Sequence, residues 1–220
     1  LSEGIRVGGN DSEERLTIQG DGSLNVTSTY CGILAWGLIT VNGGTIISTA
    51  TGGGGYQSSG ILSNRDCVII NGGNVTVSGD YGLWVWMPYG SCEINGGTVT
   101  ATGINQAIQY FTVAEGMKIQ ASTTVDGALG EYVAANHYSY KKIVITTPDV
   151  YVGGVGMYDG DYLAVGATAT TATQPSGGYA YYKDGKLTLN NYSYEGEGYR
   201  YEIDDDYYYA FIYSNNDLTL

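Results

Sequence analysis

Val41-Asn42-Gly43-Gly44-Thr45-Ile46 is answered by two near copies, Ile70-Asn71-Gly72-Gly73-Asn74-Val75 and Ile94-Asn95-Gly96-Gly97-Thr98-Val99. An earlier version, Ile18-Gln19-Gly20-Asp21-Gly22-Ser23-Leu24, is slightly longer at its glycine corner. The copies therefore begin at Ile18, Val41, Ile70 and Ile94. That period is too short for a self-sufficient domain and matches one coil of a stacked solenoid. Around each corner apolar residues alternate with polar ones, as on a strand with one buried face. Before the corner the inward pairs are Leu16/Ile18, Ile39/Val41, Val68/Ile70 and Cys92/Ile94, with Thr17, Thr40, Ile69 and Glu93 pointing out. After it, Leu24/Val26, Ile46/Ser48, Val75/Val77 and Val99/Ala101 point in, and Asn25, Ile47, Thr76 and Thr100 point out.

A third element completes each coil: Cys31-Gly32-Ile33-Leu34, Ser59-Gly60-Ile61-Leu62, Tyr81-Gly82-Leu83-Trp84 and Gln106-Ala107-Ile108-Gln109. Three short strands per coil define an all-β fold, a right-handed parallel β-helix. Asn-Gly also closes two-residue hairpins; four copies at a coil-length period, each with a third strand, favour the helix. Glycine supplies the positive φ of the corner, and Asn42, Asn71 and Asn95 are placed to stack as an amide ladder. Met117-Lys118-Ile119-Gln120, one period after the fourth copy, reads as a degraded fifth coil, and Gly127 to Thr147 as the last coil or its cap.

Composition shifts at Pro148. Of 22 tyrosines 14 lie beyond it, with 11 acidic residues against three basic ones. The expected division is therefore a β-helix over 1–147 and a small Tyr-rich, acidic, antiparallel β unit over 148–220. In the second unit, alternation on both sides of Asp184-Gly185 predicts a tight hairpin. Its last residues, Ile212-Tyr213-Ser214-Asn215-Asn216-Asp217-Leu218, align with Ile61 to Cys67 and read as a further coil-like strand.

The net charge of −13, with nine scattered Lys and Arg, argues against a nucleic-acid partner. No apolar run is long enough to span a bilayer. Three cysteines cannot all pair within the chain, and Cys92 sits in an inward slot otherwise filled by Val or Ile.

The phrases Leu16 to Val26, the Asn-Gly-Gly corners, and Val150-Tyr151-Val152-Gly153-Gly154 with Leu187-Thr188-Leu189-Asn190-Asn191 resemble Gram-positive bacterial surface proteins of the carbohydrate-binding-domain-containing β-helix type. The resemblance implies the architecture of the pectate-lyase-like superfamily without its catalytic motifs. It also implies an extracellular chain, secreted or attached to the cell wall; separately, Gly4-Ile5-Arg6-Val7 reads as the third element of an earlier coil, so adjacent domains of a longer parent chain are expected, with any export signal outside this sequence. Characterised relatives bind acidic polysaccharide and calcium.

Catalytic signatures are not legible: neither the base and metal carboxylates of a lyase nor a hydrolase pair stands on one face. The sole histidine, His137, reads as a surface or cap residue. The third strand is more informative. With Ile33, Ile61, Leu83 and Ile108 inward, alternation aims Trp36, Asn64, Trp86 and Phe111 outward at one level, with Trp84 two positions before Trp86. Flat rings beside amides suit the C–H faces and hydroxyls of a polysaccharide or cell-surface glycan; the same rings also suit packing beneath a loop. Asp204, Asp205, Asp206 and Glu202 offer oxygen ligands for calcium, although they lack EF-hand spacing and read equally as a solvated acidic turn. The functional expectation is a non-catalytic carbohydrate-binding or adhesive module with no catalytic residue. An atypical polysaccharide lyase or glycoside hydrolase, or a purely structural stalk, are its alternatives.

Overall fold

A computed structural model describes residues 2–9, 14–52, 57–86, 90–203, 206–214 and 216–220. The chain divides into two compact units, 1–147 and 148–220. The first unit holds β1 (Glu3–Val7), β2 (Leu16–Ile18), β3 (Ser23–Ser28), β4 (Cys31–Ala35), β5 (Ile39–Val41), β6 (Thr45–Ala50), β7 (Ser59–Ser63) and β8 (Val68–Ile70). It continues with β9 (Asn74–Val85), β10 (Cys92–Ile94), β11 (Thr98–Ile108), β12 (Phe111–Val113), β13 (Lys118–Ser122), β14 (Gly130–Glu131) and β15 (Lys142–Thr146).

These strands stack as a parallel β-solenoid of about four coils. The strands before the corner form one five-stranded parallel sheet in the order β12-β10-β8-β5-β2. Those after the corner stack β3 on β6, β6 on β9 and β9 on β11, and the third elements stack β1, β4, β7, β9 and β11. Coils one and two have the three short strands that the sequence predicts. In coils three and four the second and third strands run together as β9 and β11, with Gly103 paired to Gly79 and a register shift between Gly103 and Gln106.

Register places like on like. The inward columns include Ile18–Val41–Ile70–Ile94–Val113 and Ile33–Ile61–Leu83–Ile108, and the residues of the middle coils are fully buried. Cys92 occupies its column between Val68 and Phe111 with no exposed surface. Ser48, the polar member of an inward column, is also fully buried, and its hydroxyl donates to the Gly60 carbonyl at 2.7 Å. At the corners Gly44, Gly73 and Gly97 take φ of 82°, 86° and 79°, where other L-residues are strained. The amide ladder is present: Asn71 Nδ2 donates to Asn42 Oδ1 at 2.9 Å, and Asn95 Nδ2 to Asn71 Oδ1 at 3.0 Å.

The end of the solenoid departs from the sequence reading. Ile94 pairs with Val113, short of a full period further on, and not with Ile119. Only Gln109 and Tyr110 separate β11 from β12, so the longer turn of earlier coils is nearly absent. β15 then inserts antiparallel between β11 and β13, and the parallel stack stops there. Its Ile143 and Ile145, both fully buried, fill the inward columns above Ala101 and Val99. A 3-10 helix, Ala134–Ser139, and buried Tyr140 accompany this cap.

The second unit contains β16 (Val150–Val152), β17 (Val155–Met157), β18 (Tyr162–Ala164), β19 (Tyr179–Lys183), β20 (Lys186–Asn190), β21 (Tyr199–Ile203), β22 (Asp206–Ala210) and β23 (Ile212–Tyr213). They form three antiparallel sheets, β17-β16-β23, β18-β19-β20 and β21-β22. Asp184 and Gly185 turn the predicted hairpin with φ of 49° and 74°, the doubly positive pattern of a type I′ turn. Val150, Val152, Met157, Leu163, Ala180, Tyr182 and Leu187 make its small core. The C-terminal alignment with a solenoid coil does not hold, because β23 lies antiparallel on β16. What the two places share is a serine hydroxyl bonded to nearby backbone, Ser63 to Asp66 and Ser214 to Asn216.

Candidate functional site

On the outer face of the third sheet the register sets Arg6, Leu34, Leu62 and Trp84 in one row. Outward does not mean exposed here. Leu34, Leu62 and Trp84 keep 2%, 1% and 7% of their surface and form, with Cys31, a second apolar cluster against half-buried Tyr30, Trp36 and Tyr81. Trp84 stacks on Tyr81 with ring centroids 4.6 Å apart, so its faces are spent on packing. Burial, and next the charge of Glu3, pushes the Cys31 thiol up to about 12, which keeps it a protonated packing group.

Beside this row lies a more open one. The backbone N–H groups of Trp36, Asn64 and Trp86 each donate to the neighbouring coil at the end of the third strand, so the three side chains occupy equivalent positions in successive coils. Coil spacing of about 4.8 Å therefore separates the two indoles by two steps, with the Asn64 amide between them. Trp36, Asn64, Trp86 and Arg65 line a groove of about 330 Å³. Trp86 is 51% exposed and its ring leans on Trp84 at 5.4 Å. The Arg65 guanidinium lies over the Trp36 ring, 5.4 Å from its centroid. The indole N–H of Trp36 is shielded from solvent and has no acceptor among the described residues.

The turn carrying Asn64 and Arg65 is pinned. Ser63 Oγ lies 2.9 Å from the carbonyls of both Gly37 and Asp66, and Asp66 Oδ1 accepts from the Cys67 N–H at 2.8 Å. Sequence reasoning missed Arg65 because it stands in a turn, outside the strand alternation; its signal is a single basic residue next to an outward asparagine.

Phe111 does not join the groove. It pairs with Cys92 in β12 and turns toward the core, tilted against Tyr132 and His137 at 5.5 and 5.4 Å. The short link after Ile108 has already carried the chain round the corner there. His137 sits half-buried in the cap, with Nδ1 3.2 Å from the Tyr132 hydroxyl and Nε2 against the Gln109 carbonyl.

A second cavity, of about 210 Å³, runs along the bend between the second and third strands. Among the described residues Asp80 is the one carboxylate in its lining, and it accepts from the Ser58 N–H at 2.9 Å.

Of the acidic cluster, Asp204 and Asp205 lie outside the described residues. Glu202 pairs with Tyr207 and Asp206 with Ile203, so the alternation of the ribbon directs these two carboxylates to opposite faces. Asp159 is occupied by Lys183 and the Asp184 N–H, and Asp161 by the Tyr158 N–H and the Thr170 hydroxyl. Among the described residues no group of three or more His, Cys, Asp or Glu side chains is arranged to hold a metal ion. Nor, among them, is any helix long and apolar enough to cross a membrane. The chain matches no protein-family model, no curated protein and no solved structure.

Proposed function

We propose that the solenoid is a non-catalytic carbohydrate-binding module of an exported bacterial surface protein, and that the groove of Trp36, Asn64, Arg65 and Trp86 is its ligand site. The observation that carries this reading is the pairing of two indoles across an amide at coil spacing. A pyranose presents its C–H face to a flat ring and its hydroxyls sideways. Here Trp86 supplies the exposed ring, Asn64 both a donor and acceptors, and Arg65 further donors.

A glycan array of the full chain tests it. Wild type retains a defined set of glycans, and Trp86→Ala, a substitution at an exposed ring, weakens retention about tenfold or more, roughly 1.4 kcal/mol. Failure of wild type to retain any glycan, or undiminished retention by both Trp86→Ala and the Trp36→Ala/Trp86→Ala pair, removes the groove from consideration. The same glycans incubated with the protein are expected to show no unsaturated product and no new reducing ends.

A further inference from the structure

The ribbon β21–β22 is a two-stranded sheet, and among the described residues no strand pairs with its outer edges. An isolated two-stranded ribbon is marginal in water, and a free strand edge is a template for a further strand. One face of this ribbon is built in at its Tyr199 end: Tyr199 stacks on Tyr151 at 3.8 Å, and Tyr199 and Tyr201 pack on Tyr213 at 4.8 and 4.9 Å, while Ile203 and Tyr208 further along stay exposed. The other face carries Arg200, Glu202, Tyr207 and Tyr209, all exposed. Arg200 lies over the Tyr207 ring at 4.5 Å.

The sequence of β21, Tyr199-Arg200-Tyr201-Glu202-Ile203, sets opposite charges symmetrically about Tyr201. We propose that β21 is a self-association edge that pairs antiparallel with β21 of a second copy of this chain, across a two-fold axis at Tyr201. In that register Arg200 of each copy stands opposite Glu202 of the other, and Tyr199 opposite Ile203. Both ion pairs fall on the open face, beside Tyr207 and Tyr209. A two-fold interface must be complementary to itself, and opposite charges directly across an antiparallel pair meet that condition. The edge of β22 does not: centred on Tyr208 it sets Asp206 against Ala210 and forms no ion pair. The product is a four-stranded sheet, which relieves the marginal ribbon. Two such short strands bury less than the about 1,200 Å² of a standard interface, so the dimer is weak and concentration-dependent. The net charge of −13 on each copy opposes it at low ionic strength. Near 0.15 M salt, screening beyond about 8 Å weakens that long-range opposition more than it weakens the close pairs.

Sedimentation velocity of the full chain at about 0.15 M salt, over rising concentration, decides the matter. Wild type shows a reversible monomer–dimer equilibrium. Glu202→Arg places Arg200 against an arginine, keeps a partner for the Tyr207 ring, and raises the dissociation constant at least tenfold. The Arg200→Glu/Glu202→Arg swap restores the complementarity and returns the constant to within about threefold of wild type. Because the swap conserves composition, its recovery separates lost complementarity from a damaged fold. A wild type that stays monomeric throughout, a Glu202→Arg variant that associates like wild type, or a swap that fails to recover each overturns the proposal.

Discussion

The two units use opposite solutions to the same problem of covering a β-sheet. In the solenoid, strands that touch lie about one coil apart in sequence, and the buried faces are aliphatic columns of Ile, Val and Leu. In the second unit, partners such as Lys183 and Lys186 are joined by a tight turn, and the buried core runs only from Val150 to Leu187. Tyrosine makes up the difference. A run of rings, Tyr151–Tyr199–Tyr213–Tyr201–Tyr208, covers apolar area that aliphatic columns cover in the solenoid. The contrast shows what repetition allows: once a coil closes, its neighbours supply the walls, and no single coil needs a core of its own.

A matched pair of glycine substitutions tests that difference most severely. Gly73 and Gly185 both have positive φ, 86° and 74°. A Cβ on Gly73 would stand 2.5 Å from the Gly44 carbonyl oxygen and 2.8 Å from the Gly43 carbonyl carbon, both backbone atoms of the coil below. A Cβ on Gly185 meets nothing within 4 Å. Gly73→Ala is therefore expected to cost at least about 3 kcal/mol, combining φ strain with a clash that no side-chain motion relieves. Gly185→Ala should cost about 1 kcal/mol, the φ strain alone. All three tryptophans lie in the solenoid, so denaturant unfolding followed by indole fluorescence reports Gly73→Ala directly. Equal losses from the two substitutions would mean that the coils are not in the close contact described.

Alkaline pH should separate the units in a different way. In the solenoid, burial pushes the thiols of Cys31 and Cys92 up, Cys31 to about 12. In the second unit burial, and then a neighbouring phenol, pushes up Tyr151, Tyr192 and Tyr213. A raised pKa means that the folded state holds its proton after the unfolded chain has released it. Stability is then full below the unfolded value and falls as pH climbs from there toward the folded one. For thiols the fall begins near about 8.5 and for phenols near about 10. Solenoid stability should therefore begin to decline more than a pH unit before that of the Tyr-rich unit. Cys31→Ala/Cys92→Val should flatten the early part of the curve, Val being the residue at the Cys92 slot one coil below. A wild-type solenoid whose stability is flat between about pH 8.5 and 10 would contradict the assignment.

What the sequence revealed follows from which interactions are local and periodic. The corner glycines, the inward columns, the Asn42–Asn71–Asn95 ladder and the Asp184-Gly185 hairpin are legible because each repeats or closes within a short stretch. The phase of the coils also places Trp36, Asn64 and Trp86 together. It does not say what lies over an outward side chain, and Trp84 is buried beneath its neighbours. Phe111 is misplaced by that phase because spacing from Ile108 carries no information about where the turn falls. The insertion of β15 between β11 and β13 is invisible for a deeper reason: an antiparallel strand that enters a parallel stack breaks the period used to find it.

The smallest effect should come from the ladder itself. Asn71 is its middle rung, donating to Asn42 and accepting from Asn95. Asn71→Ala removes both bonds, but they are exposed and compete with water, so the loss should be about 1 kcal/mol. Asn71→Asp distinguishes the two halves, since a carboxylate still accepts from Asn95 yet cannot donate to Asn42. Its cost should fall between wild type and Asn71→Ala at neutral pH. Asn42→Ala and Asn95→Ala, each removing one bond, should each cost about half as much as Asn71→Ala. The Asp184-Gly185 hairpin of the second unit works without such a rung: Asp184 turns the chain through its own backbone conformation and its N–H bond to Asp159. If Asn71→Ala costs about the sum of Asn42→Ala and Asn95→Ala, the two bonds act independently; a loss beyond that sum makes the ladder a cooperative clamp between coils, and a loss no greater than that of Asn42→Ala means that the corner glycines alone set the register.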